Sequence, residues 1–287
     1  MADFRLPATT RLGHVHLRVG DLDRALAFYE GVLGLRAERA SGRAALAPRN
    51  GGPELVLLEE RPGAAPRERG TTGLYHYAIL LPDRRALAGA LRRLLDVRWP
   101  IEGASDHAVS EAVYLADPDG NGIELYADRP RETWTWRHGE LYMTTRPLDV
   151  AGLLCALGPD PEPWAGVPPG TVIGHVHLHV SGLARAEAFY HGVLGFDVVV
   201  RSYPGALFLS AGGYHHHIGV NVWAGPGATR PSPDRAGLID FQLLVPAGGA
   251  AQVAERARAH GLDPRPAEGG FRLEDPDGNA VVVLDAR

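Results

Sequence analysis

Apolar and polar residues near the start of the chain alternate with a period of two over residues 14–19. Apolar side chains occupy every second position from Val15 to Val19, and His14 and His16 occupy the positions on either side of Val15. Because successive side chains of a β-strand point to opposite faces of a sheet, this pattern predicts a half-buried strand. His14 and His16 would share its polar face.

A helical period follows directly. From residue 22 to residue 33 the apolar residues are spaced three or four apart, as on one face of an α-helix. Asp21 is suited to cap the start of this helix, and Gly34 is suited to end it. Further apolar runs with strand spacing continue to Glu59. The segment is therefore predicted to form a strand, a helix and about three more strands.

The same order of elements returns in residues 74–126. A strand is predicted over residues 74–81 and a helix over residues 84–95. Two strands, over residues 112–116 and 123–126, flank the sequence DPDGN, whose Asp-Gly and Gly-Asn pairs favour a tight turn. Each unit thus has the order strand, helix, three strands, written βαβββ.

Three motifs of the first half of the chain recur in the second half. GHVHLRV at residues 13–19 returns as GHVHLHV at 174–180, FYEGVLG at 28–34 as FYHGVLG at 189–195, and DPDGN at 117–121 as DPDGN at 275–279. Such a repeat indicates duplicated structural units. The chain is predicted to contain four units in two domains, residues 10–128 and residues 171–286, joined by a linker at residues 129–170.

Composition narrows the range of functions. The 287 residues include 29 basic and 34 acidic ones, for a net charge of −5, and every basic residue is Arg. An acidic chain does not attract phosphate, so nucleic acid is not an expected partner. The lack of Lys excludes a Schiff-base mechanism, and one Cys excludes a disulfide framework. Without a signal peptide or an apolar run of roughly 20 residues, we expect a cytoplasmic protein that does not act at a membrane.

The 13 histidines are the informative residues, because His is the commonest metal ligand. The GHVHLRV, FYEGVLG and DPDGNGIELY sequences resemble the vicinal oxygen chelate superfamily, which contains glyoxalases, bleomycin resistance proteins and extradiol dioxygenases. The resemblance covers nearly the whole chain outside the linker. It implies an α+β fold in which four βαβββ units pair into two vicinal-oxygen-chelate domains with curved mixed sheets around a metal.

The resemblance implies that His14, His76 and Glu124, on first and last strands of the units, bind a metal in the first domain. Two imidazoles and one carboxylate form the facial triad of non-haem Fe(II) oxygenases, which leaves three positions open. Fe(II) is the expected metal, with Mn(II), Ni(II) and Zn(II) as alternatives. A diol would take two of the open positions, and dioxygen would take the third.

Two questions about this ligand set stay open. His16 shares a face with His14, and the strand pattern does not choose between them; the family places its ligand directly after the glycine, which favours His14. Glu59 lies near the position of a fourth ligand in glyoxalases. A fourth protein ligand would leave only two open positions and would favour an isomerase.

Two further residues favour ring cleavage. Extradiol dioxygenases that resemble this chain carry a Tyr that contacts the substrate oxygen at the position of Tyr114. They carry a general acid/base His in the preceding loop, here His107, although the spacing of seven residues to Tyr114 departs from the commoner pattern. The resemblance therefore implies an Fe(II)-dependent extradiol dioxygenase that acts on a catechol-type diol and dioxygen.

A glyoxalase-type isomerase or lyase is one alternative function, and a metal-free protein that binds a small molecule is another. Oxygen dependence and the bound metal would distinguish the three functions: iron favours the dioxygenase, nickel or zinc the isomerase, and no metal the binding protein. Self-association through sheet edges is also left open.

The second half keeps only part of the ligand set. His175 occupies the first ligand position, but Asp240 and Val282 stand at the second and third positions, and valine cannot bind a metal. We therefore expect the second domain to be a degenerate copy with mainly a scaffolding role. Three consecutive histidines precede a strand there; His215 and His217 would share a face and could join His175 in an accessory site.

Overall fold

The computed structural model describes residues 4–225 and 227–286, which contain four βαβββ units. In the first unit, strand β1, helix α1 and strands β2 to β4 lie at Arg11–Val19, Leu22–Gly31, Leu35–Ala40, Arg43–Pro48 and Val56–Glu60. In the second unit, β5, α2 and β6 to β8 lie at Gly73–Leu80, Arg84–Asp96, Gly103–Asp106, Ser110–Ala116 and Gly122–Asp128. The predicted α+β fold of repeated units is confirmed.

The linker and the second half follow the same pattern. In the linker, a 3₁₀ helix, strands β9 to β11 and helix α3 lie at Arg131–Thr133, Trp136–Arg137, Glu140–Leu141, Arg146–Pro147 and Val150–Cys155. In the third unit, β12, α4 with its π-helical continuation, and β13 to β15 lie at Val172–His179, Leu183–Glu187, Ala188–Val193, Asp197–Val200, Ala206–Ser210 and Ile218–Asn221. In the fourth unit, β16, α5 and β17 to β19 lie at Gly237–Val245, Gly249–Ala259, Arg265–Ala267, Gly270–Glu274 and Ala280–Asp285.

The two large sheets pair the units across the halves of the chain. The first sheet has the order β17-β18-β19-β16-β1-β4-β3-β2 and combines the first and fourth units. The second sheet has the order β11-β6-β7-β8-β5-β12-β15-β14-β13 and combines the second and third units with one linker strand. Residues 10–128 and 171–286 therefore each contribute one unit to each sheet, so the expected pairing of units within a half is wrong. Homologous units have similar first strands, at which units pair. The sequence repeat is therefore equally compatible with pairing within a half and with pairing across the halves.

The side-chain alternation of β1 is as predicted. Val15, Leu17 and Val19 are fully buried and belong to the main apolar core. Leu26 and Tyr29 of α1 belong to the same buried cluster. The apolar face of each sheet is therefore covered by its helices, and the other face is free to carry polar side chains.

Helices α1 and α2 of the first half are capped by aspartates. Asp21 and Asp83 accept hydrogen bonds from the backbone N–H of Arg24 and Ala86 at the starts of α1 and α2. Gly34 follows α1 with a φ of +76°, a left-handed conformation that glycine adopts without strain. Helix α2 has 13 residues, and no helix in the described ranges is long and apolar enough to cross a membrane.

The two DPDGN turns are built alike. Asp117 accepts a hydrogen bond from the backbone N–H of Asn121, and the Tyr29 hydroxyl donates to it at 3.0 Å. Asp275 has the same arrangement, with the Tyr190 hydroxyl at 3.0 Å. The tyrosines come from the FYEGVLG and FYHGVLG motifs. In each half of the chain, this contact therefore ties the helix of the first of its two units to the last hairpin of the other.

Candidate metal centre and active site

Three neighbouring strands of the second sheet, β8, β5 and β12, present polar side chains to its concave face. Alternation sends Tyr77 and Val176 into the buried core, so His76 and His175 point to the opposite face. Strand β5 pairs antiparallel with β12 and parallel with β8, which brings Glu124 beside the two histidines. The backbone of the second and third units thus converges two imidazoles and one carboxylate.

The geometry of this group suits a metal ion. Oε2 of Glu124 lies 3.0 Å from Nε2 of His76 and 3.1 Å from Nε2 of His175. All three side chains are more than nine-tenths buried, and one potential ligand atom from each lies within 4.8 Å of the others. Imidazole nitrogen and carboxylate oxygen are ligands for Fe, Mn, Ni and Zn. The donor set therefore fits the metal that the sequence motifs imply.

Electrostatics place these groups in the protonation states that metal binding needs. Burial favours the neutral form of Glu124, but His175 and His76 outweigh it and hold the pKa of Glu124 well below its usual value. Burial, partly offset by Glu124, lowers the pKa of His175 to about 4. At neutral pH the site contains a carboxylate and a neutral His175 imidazole, so neither must lose a proton before a metal binds.

His14, one of the three predicted ligands, lies elsewhere. It is on β1 in the first sheet, where its Nδ1 lies 3.5 Å from Oε2 of Glu54. The predicted grouping of His14 with His76 and Glu124 is wrong, because β1 pairs with β16 and β4 and not with β5.

His175, predicted to be a remnant of a lost site, takes the place of His14 in the candidate triad. Both residues follow the glycine of the repeated GHVHL sequence, so the signal for a ligand at this position was present. What the sequence lacked was the pairing of units. The expectation that the second half is mainly a scaffold is corrected by the same observation, because the third unit supplies one of the three candidate ligands.

A cavity of about 400 Å³ lies against the triad. The second unit contributes His107 and Tyr114 to its wall, and the third unit contributes Phe208 and Trp223. Linker residues 143–145 line it as well. The cavity is therefore lined by both halves of the chain and by the segment that joins them.

The structure brings the predicted pair His107 and Tyr114 together. Nε2 of His107 lies 2.7 Å from the Tyr114 hydroxyl, and its Nδ1 lies 2.7 Å from the carbonyl oxygen of Thr144. Because a carbonyl only accepts, Nδ1 carries the hydrogen, and a neutral His107 offers the lone pair of Nε2 to Tyr114. Burial, reinforced by Glu124, holds the pKa of Tyr114 well above its usual value, so its hydroxyl stays protonated.

The run of three histidines contributes to the site in a different way from the one predicted. The ring of His216 lines the cavity, with its centroid 4.0 Å from that of His175, and its Nδ1 lies 2.7 Å from Nδ1 of His215. His217 accepts a hydrogen bond from the backbone N–H of Ala211. The expected grouping of His215 and His217 with His175 is wrong, because the run precedes β15 and strand alternation does not apply to it. The group that forms is His175, His215 and His216.

Asp240 occupies, in the first sheet, the position that His76 has in the second. Backbone register pairs Asp240 with His16 across β16 and β1, as it pairs His76 with His177 across β5 and β12. Asp240 forms an ion pair of 2.7 Å with Arg272. Its charge is therefore already balanced by a protein cation.

Glu59, the expected fourth ligand, also lies in the first sheet. Its carboxylate forms a 2.5 Å ion pair with Arg43 and lies 3.6 Å from Nε2 of His16. It does not line the cavity beside the triad. The fourth-ligand alternative is therefore wrong for Glu59.

Comparisons with known proteins agree with this architecture. A sequence model of the Glyoxalase/Bleomycin resistance protein/Dioxygenase superfamily matches residues 11–125 and 172–283. Catechol-2,3-dioxygenase of Bacillus subtilis (strain 168) is 46% identical over 280 residues, which cover 96% of this chain and 97% of that protein. Biphenyl-2,3-diol 1,2-dioxygenase 3 of Rhodococcus globerulus is 30% identical over 144 residues, covering 48% of this chain and 76% of that one.

A likeness of fold is also found among solved structures. Glyoxalase I from Zea mays superposes with a TM-score of 0.57 at 19% identity, over 96% of this chain and 92% of that one. The repeated family match and the near full-length relative cover both halves of the sequence. The chain therefore belongs to the Glyoxalase/Bleomycin resistance protein/Dioxygenase superfamily.

Proposed function

We propose that the protein is an Fe(II)-dependent extradiol dioxygenase that opens the ring of a catechol-type aromatic diol. One observation carries the proposal: His76, Glu124 and His175 converge on one side of a cavity whose wall also holds the hydrogen-bonded pair His107 and Tyr114. A near full-length relative with catechol-2,3-dioxygenase activity in its name supports the same reaction.

The number of protein ligands separates this reaction from an isomerase. A local two-fold axis passes through the paired residues Tyr77 and Val176, and it relates the second unit to the third. The position related to Glu124 by this axis is Gly219, which has no side chain. A Cβ at Gly219 would lie 2.9 Å from Cγ of His177, so a ligand side chain there would require that ring to move. Of the four positions related by this axis, three therefore carry a potential ligand and the fourth is glycine.

Three protein ligands leave room for both substrates. His76, His175 and Glu124 would hold the metal, which when bound couples electron transfer between the diol and dioxygen. With only three protein ligands, the bound ion would have open positions for the diol and for dioxygen. A glyoxalase-type site with a fourth protein ligand would lack one of these positions.

His107 and Tyr114 are suited to move protons and to orient the diol. The Tyr114 hydroxyl, protonated and bonded to His107, also lies near the Glu124 carboxylate. A diol oxygen near the triad would contact this hydroxyl. A proton released by the diol would then reach Nε2 of His107, the ring nitrogen without a hydrogen. His107 would return the proton as the ring opens.

The test is ring cleavage by protein loaded with ferrous iron in the absence of oxygen. Catechol is added first and air afterwards, and the absorbance of the ring-opened semialdehyde is followed. We expect one iron per chain, uptake of one dioxygen per catechol and a rise in absorbance only after air is admitted.

Controls separate the proposed reaction from the two alternatives. Glu124→Gln removes the carboxylate of the triad and should abolish both iron binding and ring cleavage. Glu59→Gln removes a carboxylate of the first sheet and should leave both unchanged. Iron-loaded protein that cleaves none of a panel of catechols would overturn the proposal. Activity with nickel or zinc in the absence of oxygen would instead support an isomerase, and failure to bind any metal would support a binding protein.

A further inference from the structure

The linker between the two halves forms part of the candidate active site. Residues 143–145, which we call the strap, lie between β10 and β11 in the chain and line the cavity. On one side the strap is fixed to the second unit, because β11 pairs with β6 and the backbone N–H of Thr144 donates to the carbonyl of His107 at 3.3 Å. The strap therefore lies directly beside the predicted acid/base residue.

On its other side the strap is fixed to the third unit. Glu140, just before it, accepts hydrogen bonds from the backbone N–H of Arg201 and Ser202, each at 3.2 Å. Within the strap, Oγ1 of Thr145 lies 2.7 Å from the hydroxyl of Tyr203. The strap thus bridges the two units whose side chains form the cavity.

The Tyr203 ring is itself held in place. It contacts Phe208 with ring centroids 5.5 Å apart and Trp223 with centroids 6.2 Å apart. Its hydroxyl therefore projects from a packed aromatic wall towards the exposed Thr145. A bond to a fixed hydroxyl restricts Thr145, and through the peptide link it restricts the carbonyl of Thr144.

That carbonyl decides which nitrogen of His107 carries the hydrogen. With Nδ1 at 2.7 Å from the carbonyl oxygen, the hydrogen sits on Nδ1 and Nε2 is left as an acceptor facing Tyr114. In the other tautomer, Nδ1 would face the carbonyl oxygen without a hydrogen, lone pair against lone pair, and Nε2–H could only donate to the Tyr114 hydroxyl oxygen. The position of the strap therefore controls whether His107 can accept a proton at Nε2.

We propose that Thr145 and Tyr203 are positioning residues that hold the Thr144 carbonyl against His107 and so fix its proton-accepting tautomer. The effect on turnover rests on the proposed function, whereas the effect on the tautomer does not. Neither residue belongs to the triad. Tyr203 acts only through its hydrogen bond to Thr145, and Oγ1 of Thr145, held by that bond, also lies 3.5 Å from Nδ1 of His107.

The first experiment measures the tautomer directly. Imidazole ¹⁵N spectra are recorded for the full-length, metal-free protein, and the His107→Gln variant identifies the signals of His107. We expect Nδ1–H in the wild type and a mixture with Nε2–H in Tyr203→Phe and Thr145→Val. Tyr142→Phe is the matched control, because that hydroxyl only accepts a bond from exposed Arg146, and it should leave the signals unchanged. Unchanged His107 signals in both strap variants would overturn the proposal.

The second experiment measures steady-state turnover with catechol. We expect Tyr203→Phe and Thr145→Val each to lower kcat about three- to tenfold, the effect of one lost hydrogen bond, with little change in KM. The double variant should be no slower than the slower single variant, because both remove the same bond. Independent, multiplicative losses would contradict the proposal. If wild-type protein cleaves no catechol, the proposed function fails while the tautomer measurement still decides this inference.

Discussion

The two sheets of the protein are built from homologous units, yet only the second carries a converged ligand group among the described residues. The turn networks are equivalent: Tyr29 bonds Asp117 and Tyr190 bonds Asp275, each at 3.0 Å. These contacts lie in the buried layer. The difference in potential metal ligands lies on the concave face, which the fold does not need to bury.

The concave face of the first sheet shows what happens to the ligand positions there. His14 is equivalent to His175 of the second sheet. The position equivalent to His76 is Asp240, which is paired with Arg272, and the position equivalent to Glu124 is Val282. Packing restricts the buried face of a strand, whereas the open face can change without loss of the fold. The comparison teaches that the duplication preserved the scaffold and that one concave face alone kept the full donor set.

The largest expected contrast is between the two equivalent histidines. His175→Ala should remove a metal ligand and reduce iron binding and ring cleavage by more than about 100-fold, beyond the loss caused by removing a group that only supports a ligand. His14→Ala changes the matching residue of the first sheet and should leave both within about twofold. Metal content per chain and the initial rate of ring cleavage are the measurements.

This contrast can fail in two informative ways. Equal loss of metal in both variants would mean that the first sheet also binds an ion. Loss of metal in His14→Ala alone would restore the ligand set expected from the sequence and would contradict the unit pairing of the structure. Circular dichroism of each variant checks that the fold is intact.

The next largest effect concerns the second unit and its proton-accepting histidine. His107→Gln should lower kcat by about 10²- to 10⁴-fold, the usual contribution of a positioned acid/base, while iron stays bound because His107 is not in the triad. His16→Gln in the first sheet is the control and should leave kcat unchanged. A variant that loses iron together with activity would mean that His107 supports the metal.

The sequence predicted the elements well because their signals are local. Alternation placed His14 and His16 on one face of β1, and the cap at Asp21 marked the start of α1. The resemblance to the superfamily also implied His76, Glu124, His107 and Tyr114, which the structure gathers around one cavity. These residues belong to a single unit, so their proximity depends on one hairpin and its neighbouring strand.

The third candidate ligand could not be chosen from the sequence, because it depends on which units pair. His14 and His175 have the same local motif, and the choice between them rests on long-range contacts between β5 and β12. The same limit explains Glu59, whose placement follows from the sheet to which β4 belongs, and His216, which lies in the loop before β15 and reaches the cavity only because the third unit pairs with the second. Pairing between homologous edges is a property of the whole chain and has no local signature.

A smaller effect should be equal in the two sheets. Asp117→Ala and Asp275→Ala each leave a buried tyrosine hydroxyl and several backbone N–H groups without their acceptor. We expect each to lower the free energy of unfolding by about 2–4 kcal/mol, measured by urea denaturation. Because the turns are equivalent, the two values should agree within about 1 kcal/mol. A much smaller loss for Asp275→Ala would show that the first sheet has diverged in its scaffold as well.

The smallest expected effect is a difference in pH dependence between the sheets, measured on metal-free protein. The pKa of His175 is lowered by burial to about 4, whereas an unfolded His binds a proton below about 6.5. Between these values the unfolded chain holds more protons, so the free energy of unfolding falls as the pH falls, by about 2 kcal/mol at pH 5 for this group. His175→Phe should lose this part of the pH dependence.

The same substitution at His14 should have a weaker effect. Burial also lowers the pKa of His14, but Glu54 opposes the shift and the His14 side chain is 14% exposed, against 2% for His175. The slope of unfolding free energy against pH, from urea titrations between about pH 4 and 6.5, should therefore be flatter for His175→Phe than for His14→Phe. Equal slopes would mean that the two histidines have similar surroundings. The contrast between the concave faces would then lie in Asp240 and Val282 alone.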